Sequence, residues 1–113
     1  MLSKQYRLKK RKSFNYIYKR GRHIGSDVLT MSYVQARMKN IKIGFSVSKK
    51  IGNSVTRHKA IRKMRAAAKP LVERIAPNHS IIFVAKEGID KKHVTEIQQA
   101  MEKILRKASL LSP

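Results

Sequence analysis

The sequence predicts an α+β layer sandwich in the order α-β-β-α-β-α, and three observations carry that expectation. Residues 28–37 and 41–48 alternate apolar and polar side chains with the period of a strand. Residues 80–86 contain the unbroken apolar run Ile81-Ile82-Phe83-Val84-Ala85, which suits a strand covered on both faces or at the sheet centre. Val94, Ile97, Met101, Ile104, Leu105 and Ala108 recur at helical spacing, forming one apolar stripe on an amphipathic helix. With 113 residues, no Gly/Ser linker and no internal repeat, a single domain over 1–113 is expected.

The elements follow in order. Residues 4–12 carry six cations around Leu8, so 1–12 is expected to be a basic segment, extended and flexible when free. Ser13 can cap a short helix bearing Phe14, Ile17 and Tyr18 at i, i+3, i+4, and Gly21 suits the position just past its end. The first strand puts Leu29, Met31 and Tyr33 on one face, with Thr30 and Ser32 on the other. In the second, Ile43, Phe45 and Val47 alternate with Lys42, Gly44, Ser46 and Ser48. Met38, Lys39 and Asn40 make a short turn between them, which predicts an antiparallel hairpin. A loop over 48–55 precedes a helix expected over 55–69, capped by Asn53 or Ser54 and ending near Pro70.

The chain holds 27 Lys+Arg against 6 Asp+Glu, a net charge of +21, yet 42% of its residues are hydrophobic. That apolar content supports a folded core, so the charge is not that of a disordered tail. It strains a compact fold by self-repulsion, which a polyanionic partner relieves; nucleic acid is the first candidate. The charge is also one-sided. Residues 1–72 contain 20 Lys+Arg and the single acid Asp27, whereas residues 73–113 contain 7 Lys+Arg and 5 acids. On a helical wheel, His58, Arg62, Arg65 and Lys69 gather into one arc, flanked by Arg57, Lys59 and Lys63, while Ile61, Met64, Ala68 and Leu71 cluster elsewhere. Like charges one turn apart destabilise an isolated helix, and first-turn cations oppose its dipole. No acid between residues 28 and 72 offsets this, so the stabilising charge is expected to come from phosphates.

Several chemistries are excluded or disfavoured. There is no cysteine, hence no disulfide and no thiolate metal site. No apolar run approaches the roughly 18 residues of a membrane span, and no apolar stretch follows the basic start as in a secretory signal. The four histidines show no metal-ligand spacing and the six acids form no pair for acid–base work, so neither a catalytic nor a metal site is expected. Phe14 and Tyr18 lie one turn apart and either anchor the core or stack on unpaired bases. The small polar face formed by Thr30, Ser32, Ser46 and Ser48 is either the floor of a cleft or an ordinary wet sheet face.

At Ser46-Val-Ser-Lys-Lys-Ile-Gly-Asn-Ser-Val55, followed by the arginine-studded helix, the chain resembles the family of bacterial ribonuclease P protein subunits. The resemblance spans nearly the whole chain, from the basic start with Leu8 through Phe14 and Tyr18-x-x-Gly21 to the amphipathic C-terminal helix. The family helix pattern is Arg-Asn-Arg-x-Lys-Arg-x-x-Arg. Arg57, Arg62 and Arg65 match it, while His58 stands for Asn, Lys59 for Arg and Ile61 for Lys. A lysine lacks the planar fork of arginine, and Lys63 sits where it can replace charge missing at 61.

The resemblance implies a mixed sheet of four strands with a left-handed βαβ crossover through the basic helix, similar to the ribosomal protein S5 domain 2-like fold. Such a crossover is an exception to the right-handed rule. It further implies a cytoplasmic subunit of an endoribonuclease whose RNA performs the catalysis, removing the 5′ leader of precursor tRNA. No cofactor would be bound by protein side chains, because the Mg²⁺ is held by the RNA. The implied partners are the ribonuclease P RNA and precursor tRNA, with no membrane and with protein partners left open. Lys49, Lys50, Asn53, Arg57, His58, Lys59, Arg62, Lys63, Arg65 and Lys69 would contact the catalytic RNA. A cleft between the first helix and the sheet would hold the leader, lined by Phe14, Tyr18, Ser32, Ser46 and Ser48. A ribosomal or other structural RNA-binding protein is the rival reading, and a stand-alone endonuclease is disfavoured by the missing carboxylate and histidine constellations.

Overall fold

The strand at residues 79–85 organises the sheet, because it is the one with apolar side chains on both faces. In the computed structural model, which describes residues 6–36 and 41–111, the elements are α1 (Arg11–Arg20), β1 (Arg22–Gly25), β2 (Leu29–Gln35), β3 (Lys42–Ser46), α2 (Ser54–Ala68), β4 (His79–Ala85) and α3 (Val94–Lys107). The sheet order is β1-β2-β4-β3: β4 pairs antiparallel with β2 and parallel with β3.

That order overturns the expected hairpin. β2 and β3 do not pair; β4 lies between them. Each of the two has one apolar and one small polar face, so neither needs cover on both sides. Ile81, Ile82 and Phe83 do need it, and the central position buries all three. The expected turn at Met38–Asn40 lies outside the described residues. β1 was not anticipated. It is a short edge strand with exposed Arg22 and His23 and only Ile24 as an apolar signal, and its charge discourages further pairing. Ser26 closes the β1–β2 turn, its Oγ accepting from the backbone N–H groups of Val28 and Leu29, both at 3.2 Å.

The two faces of the sheet carry different cores. On one, Leu29, Met31, Ile43, Ile81 and Phe83 pack with Ala60, Met64, Ala67 and Ala68 of α2 and with Ile97, Met101, Ile104 and Leu105 of α3. The alanines let α2 approach closely. α2 begins at an Asn53 cap, whose Oδ1 accepts from Thr56 N–H at 2.9 Å, which settles the choice between Asn53 and Ser54. It yields to a 3-10 turn over Lys69–Arg74, since Pro70 has no N–H to continue the ladder. α3 opens with a capping box between His93 and Glu96.

The opposite face is covered by α1, which buries Ile17. This helix starts at Arg11, so Lys10 is its N-cap and makes no side-chain cap bond; Ser13 lies inside the helix instead of capping it. Arg11 and Lys12, expected within the flexible segment, are its first residues. Upstream, Arg7 bridges in parallel to Ile43 and Leu8 N–H donates to the Ile43 carbonyl at 2.9 Å, covering the free edge of β3. Gly21 caps α1, and a Cβ there would stand 2.5 Å from the carbonyl oxygens of both Ile17 and Tyr33.

Gly44 is the second close approach. A Cβ at this position would lie 2.5 Å from Phe14 Cζ and 3.2 Å from Leu8 Cβ. Gly44→Ala is therefore expected to push α1 off the sheet and destabilise the fold by about 1–3 kcal/mol, as overpacking does. Thermal melts of Gly44→Ala, Phe14→Ala and the double variant check this. The second substitution should relieve the first, and strictly additive losses would disprove the clash.

Candidate nucleic-acid interface

The cationic site begins where β3 ends. Ser48 precedes a 3-10 turn over Lys49–Ile51, and Gly52 follows with φ 154° and ψ −164°. This backbone region is essentially restricted to glycine, and a Cβ there would also stand 2.9 Å from Thr56. Gly52 leads straight into the Asn53 cap, so Lys49 and Lys50 sit immediately before α2. Both lysines are exposed.

Along α2, the wheel is obeyed. His58, Lys59, Arg62 and Lys69 are exposed, opposite the buried Ala60, Met64, Ala67 and Ala68. Arg57 and Arg65 lie at the margin, half-buried, and the Nε–H of each is buried without an acceptor. An unpaired buried donor costs about 1–3 kcal/mol, which an arriving acceptor removes. Asn53 belongs to the same unit through its capping bond.

Lys63 is placed differently. Its ammonium donates to the backbone carbonyls of Asp90 and Lys92, each at 2.7 Å, and so fastens α2 to the turn before α3. Its place at the flank of the charged arc faces this turn. Lys63→Met should leave two carbonyls unsatisfied and lower stability by about 1–3 kcal/mol. The salt dependence of RNA binding should stay as in the parent chain, and a flattened dependence would show that Lys63 contacts phosphate.

The second candidate site lies on the α1 side of the sheet. Pairing aligns two rows across the strands there: His23, Ser32, Ile82 and Gly44, then Gly25, Thr30, Val84 and Ser46. α1 lies over the β3 end of the first row, with Phe14 over Gly44. Ser32 is only 2% exposed, and its Oγ is 2.7 Å from His23 Nδ1. The surface at that point is thus His23, a residue of the strand that sequence patterning missed. Thr30, Val84 and Ser46 remain half-buried beyond the helix, and Ser48 is exposed. Tyr18, one turn beyond Phe14 on α1, is 39% exposed, while Phe14 is half-buried against the sheet. Phe14 therefore packs on the sheet over Gly44 while its ring stays half-buried.

Among the described residues no group of three His, Asp or Glu side chains gathers to hold a metal ion, and no helix is long and apolar enough to cross a membrane. The arrangement is that of a polyanion-binding α+β domain: a braced basic loop and helix with no acid between residues 28 and 72.

The comparisons with known proteins give this class its family. The ribonuclease P family model matches residues 2–109. Over 106 residues the chain is 33% identical to the ribonuclease P protein component of Alkaliphilus metalliredigens, covering 94% of this chain and 96% of that one. Its structure is similar to that of the Staphylococcus aureus RNase P protein, with a TM-score of 0.84, 30% identity, and coverage of 95% and 98%. The RNase P protein of Thermotoga maritima, at 18% identity, shares the fold with a TM-score of 0.80 over 89% of this chain and 96% of that one. This chain belongs to the ribonuclease P protein family.

Proposed function

We propose that this chain is the protein component of ribonuclease P, binding the catalytic RNA and the 5′ leader of precursor tRNA so that the RNA cuts at the mature 5′ end. The observation that carries this is the acid-free unit from Lys49 to Lys69, exposed along one side of α2. Lys49, Lys50, Arg57, His58, Lys59, Arg62, Arg65 and Lys69 would neutralise phosphates of the catalytic RNA, lowering repulsion between two RNAs. Asn53 holds the loop against the helix, and Lys63 contributes by fixing the helix in place. The leader would run over Phe14 and along the row of Thr30, Val84, Ser46 and Ser48, with Tyr18 at the rim. That contact lengthens the recognised substrate and so favours precursor over product.

The chemistry would belong to the RNA and its Mg²⁺ ions. The protein's share is electrostatic and positional. Reconstitution tests this. The chain alone, the RNA subunit alone and both together are incubated with precursor tRNA at low magnesium. The chain alone should leave the substrate intact, and the pair should outpace the RNA alone. Cleavage by the chain alone, or no enhancement of the RNA, would overturn the proposal. The cytoplasm is the compartment this role requires.

A further inference from the structure

α1 has an outward face that, apart from Tyr18 at its edge, the foregoing roles do not use. Tyr16 is 56% exposed, more than any other aromatic side chain among the described residues. On a helical wheel it falls on the flank opposite Phe14, pointing away from the sheet cleft. Lys12 lies one turn before it, and Lys19 and Arg20 one turn after. These residues, with Asn15 and Tyr18, line a shallow concavity of about 660 Å³, with no acid among the described residues that line it.

The helix itself supplies a second, independent observation. Its first turn holds Arg11 and Lys12 and no acid, and its N-cap Lys10 makes no side-chain cap bond. Cations at the positive end of a helix dipole are unfavourable, and so are like charges along a ten-residue helix. A Glu or Asp in the first turn would relieve both. This helix instead keeps its outer surface unfavourably charged around a bare aromatic ring. An exposed ring between cations at one-turn spacing matches single-stranded RNA, which offers an unstacked base for the ring and a phosphate on either side. A duplex offers only phosphates, and an apolar partner would not need the charge.

We propose that the outward face of α1 is a binding site for single-stranded RNA, a base stacking on Tyr16 while flanking phosphates meet Lys12, Lys19 and Arg20. The inference rests on the reading of this chain as an RNA binder, but not on its role in cleavage. α1 and α2 cover opposite faces of the sheet, so the chain would hold one RNA segment on each side. Its total charge is then shared between two surfaces.

The test uses the full chain and a short oligouridine carrying one 5-iodouracil. Irradiation of the complex should give an adduct on Tyr16, located by fragmenting the peptide that spans residues 13–19. Tyr16→Ala should weaken binding of the single strand about fivefold or more, the loss of one stacked base. Tyr16→Phe should restore it, because the π-face is kept. Binding of a blunt RNA duplex of equal length should be the same in all three proteins. Adducts confined to Phe14, Tyr18 or α2 would overturn the proposal, as would equal losses for single strand and duplex. Failure of the ribonuclease P role would look different: no stimulation of the RNA subunit, with the Tyr16 adduct still formed.

Discussion

Arg62→Ala combined with Arg65→Ala lowers the affinity of the chain for ribonuclease P RNA by about a hundredfold or more, the scale of two charge-assisted hydrogen bonds. It also flattens the log–log dependence of binding on salt by roughly 1.4–1.8, since each lost phosphate contact removes about 0.7–0.9. Both numbers come from filter-binding or anisotropy titrations across a salt series. The pair is chosen for its environment. Arg62 lies on the exposed side of α2, and Arg65 holds a buried Nε–H that lacks an acceptor. Truncating them removes charge without emptying the core, which Ala60, Met64 and Ala67 fill. The melting temperature should accordingly hold or rise, because like-charge repulsion along the helix is relieved. An unchanged slope would mean that this surface is merely solvated. Lys63→Met is the internal contrast, with stability reduced and slope retained.

The contrast between Arg62 and Lys63 shows what was legible in the sequence. Periodicity located α2, β4 and α3 to within a residue at each end, because their signals are long and point one way. It also put the charged arc on a different face from Met64 and Ala68, though Ala60 and Ala67 complete the buried stripe while Ile61 and Arg65 are half-buried. It did not reveal that Lys63 turns toward the carbonyls of Asp90 and Lys92, since those acceptors arrive from 27 and 29 residues away. The misassigned hairpin has the same origin. A strand pattern specifies which face is apolar, but pairing is decided by competition among all strands, and β4 gains most from the centre. β1 was invisible because an edge strand with one apolar residue has no period to detect. α1 began two residues before its expected cap because packing of Ile17 and Phe14 on the sheet, and not capping chemistry, fixes where it lies. Ser32 was placed on the polar face of its strand, where it does lie. The sequence could not show that His23 would cover it.

In the proposed leader cleft Phe14 would both pack on the sheet and stack on a base, and Phe14→Leu separates the two roles. Leucine fills much of the space over Gly44 but has no π-face, so melting should change little while base stacking is lost. Precursor tRNA, bound by the reconstituted holoenzyme, should then lose about fivefold or more in affinity, the value of one stacked base. Mature tRNA lacks the leader and should bind as before. Phe14→Ala removes both functions, so it should show the same selective loss together with a lower melting temperature. The expected ordering follows from position: α1 sets the ring over Gly44, which shares its row with Ser32 and Ile82 on the same face of the sheet. If Phe14→Leu weakens precursor and mature tRNA equally, Phe14 is a packing residue alone, and the leader path must be sought elsewhere. If the precursor loss is selective and disappears when the leader is shortened to a single nucleotide, the cleft reads the leader, and the preference for substrate over product originates in this ring.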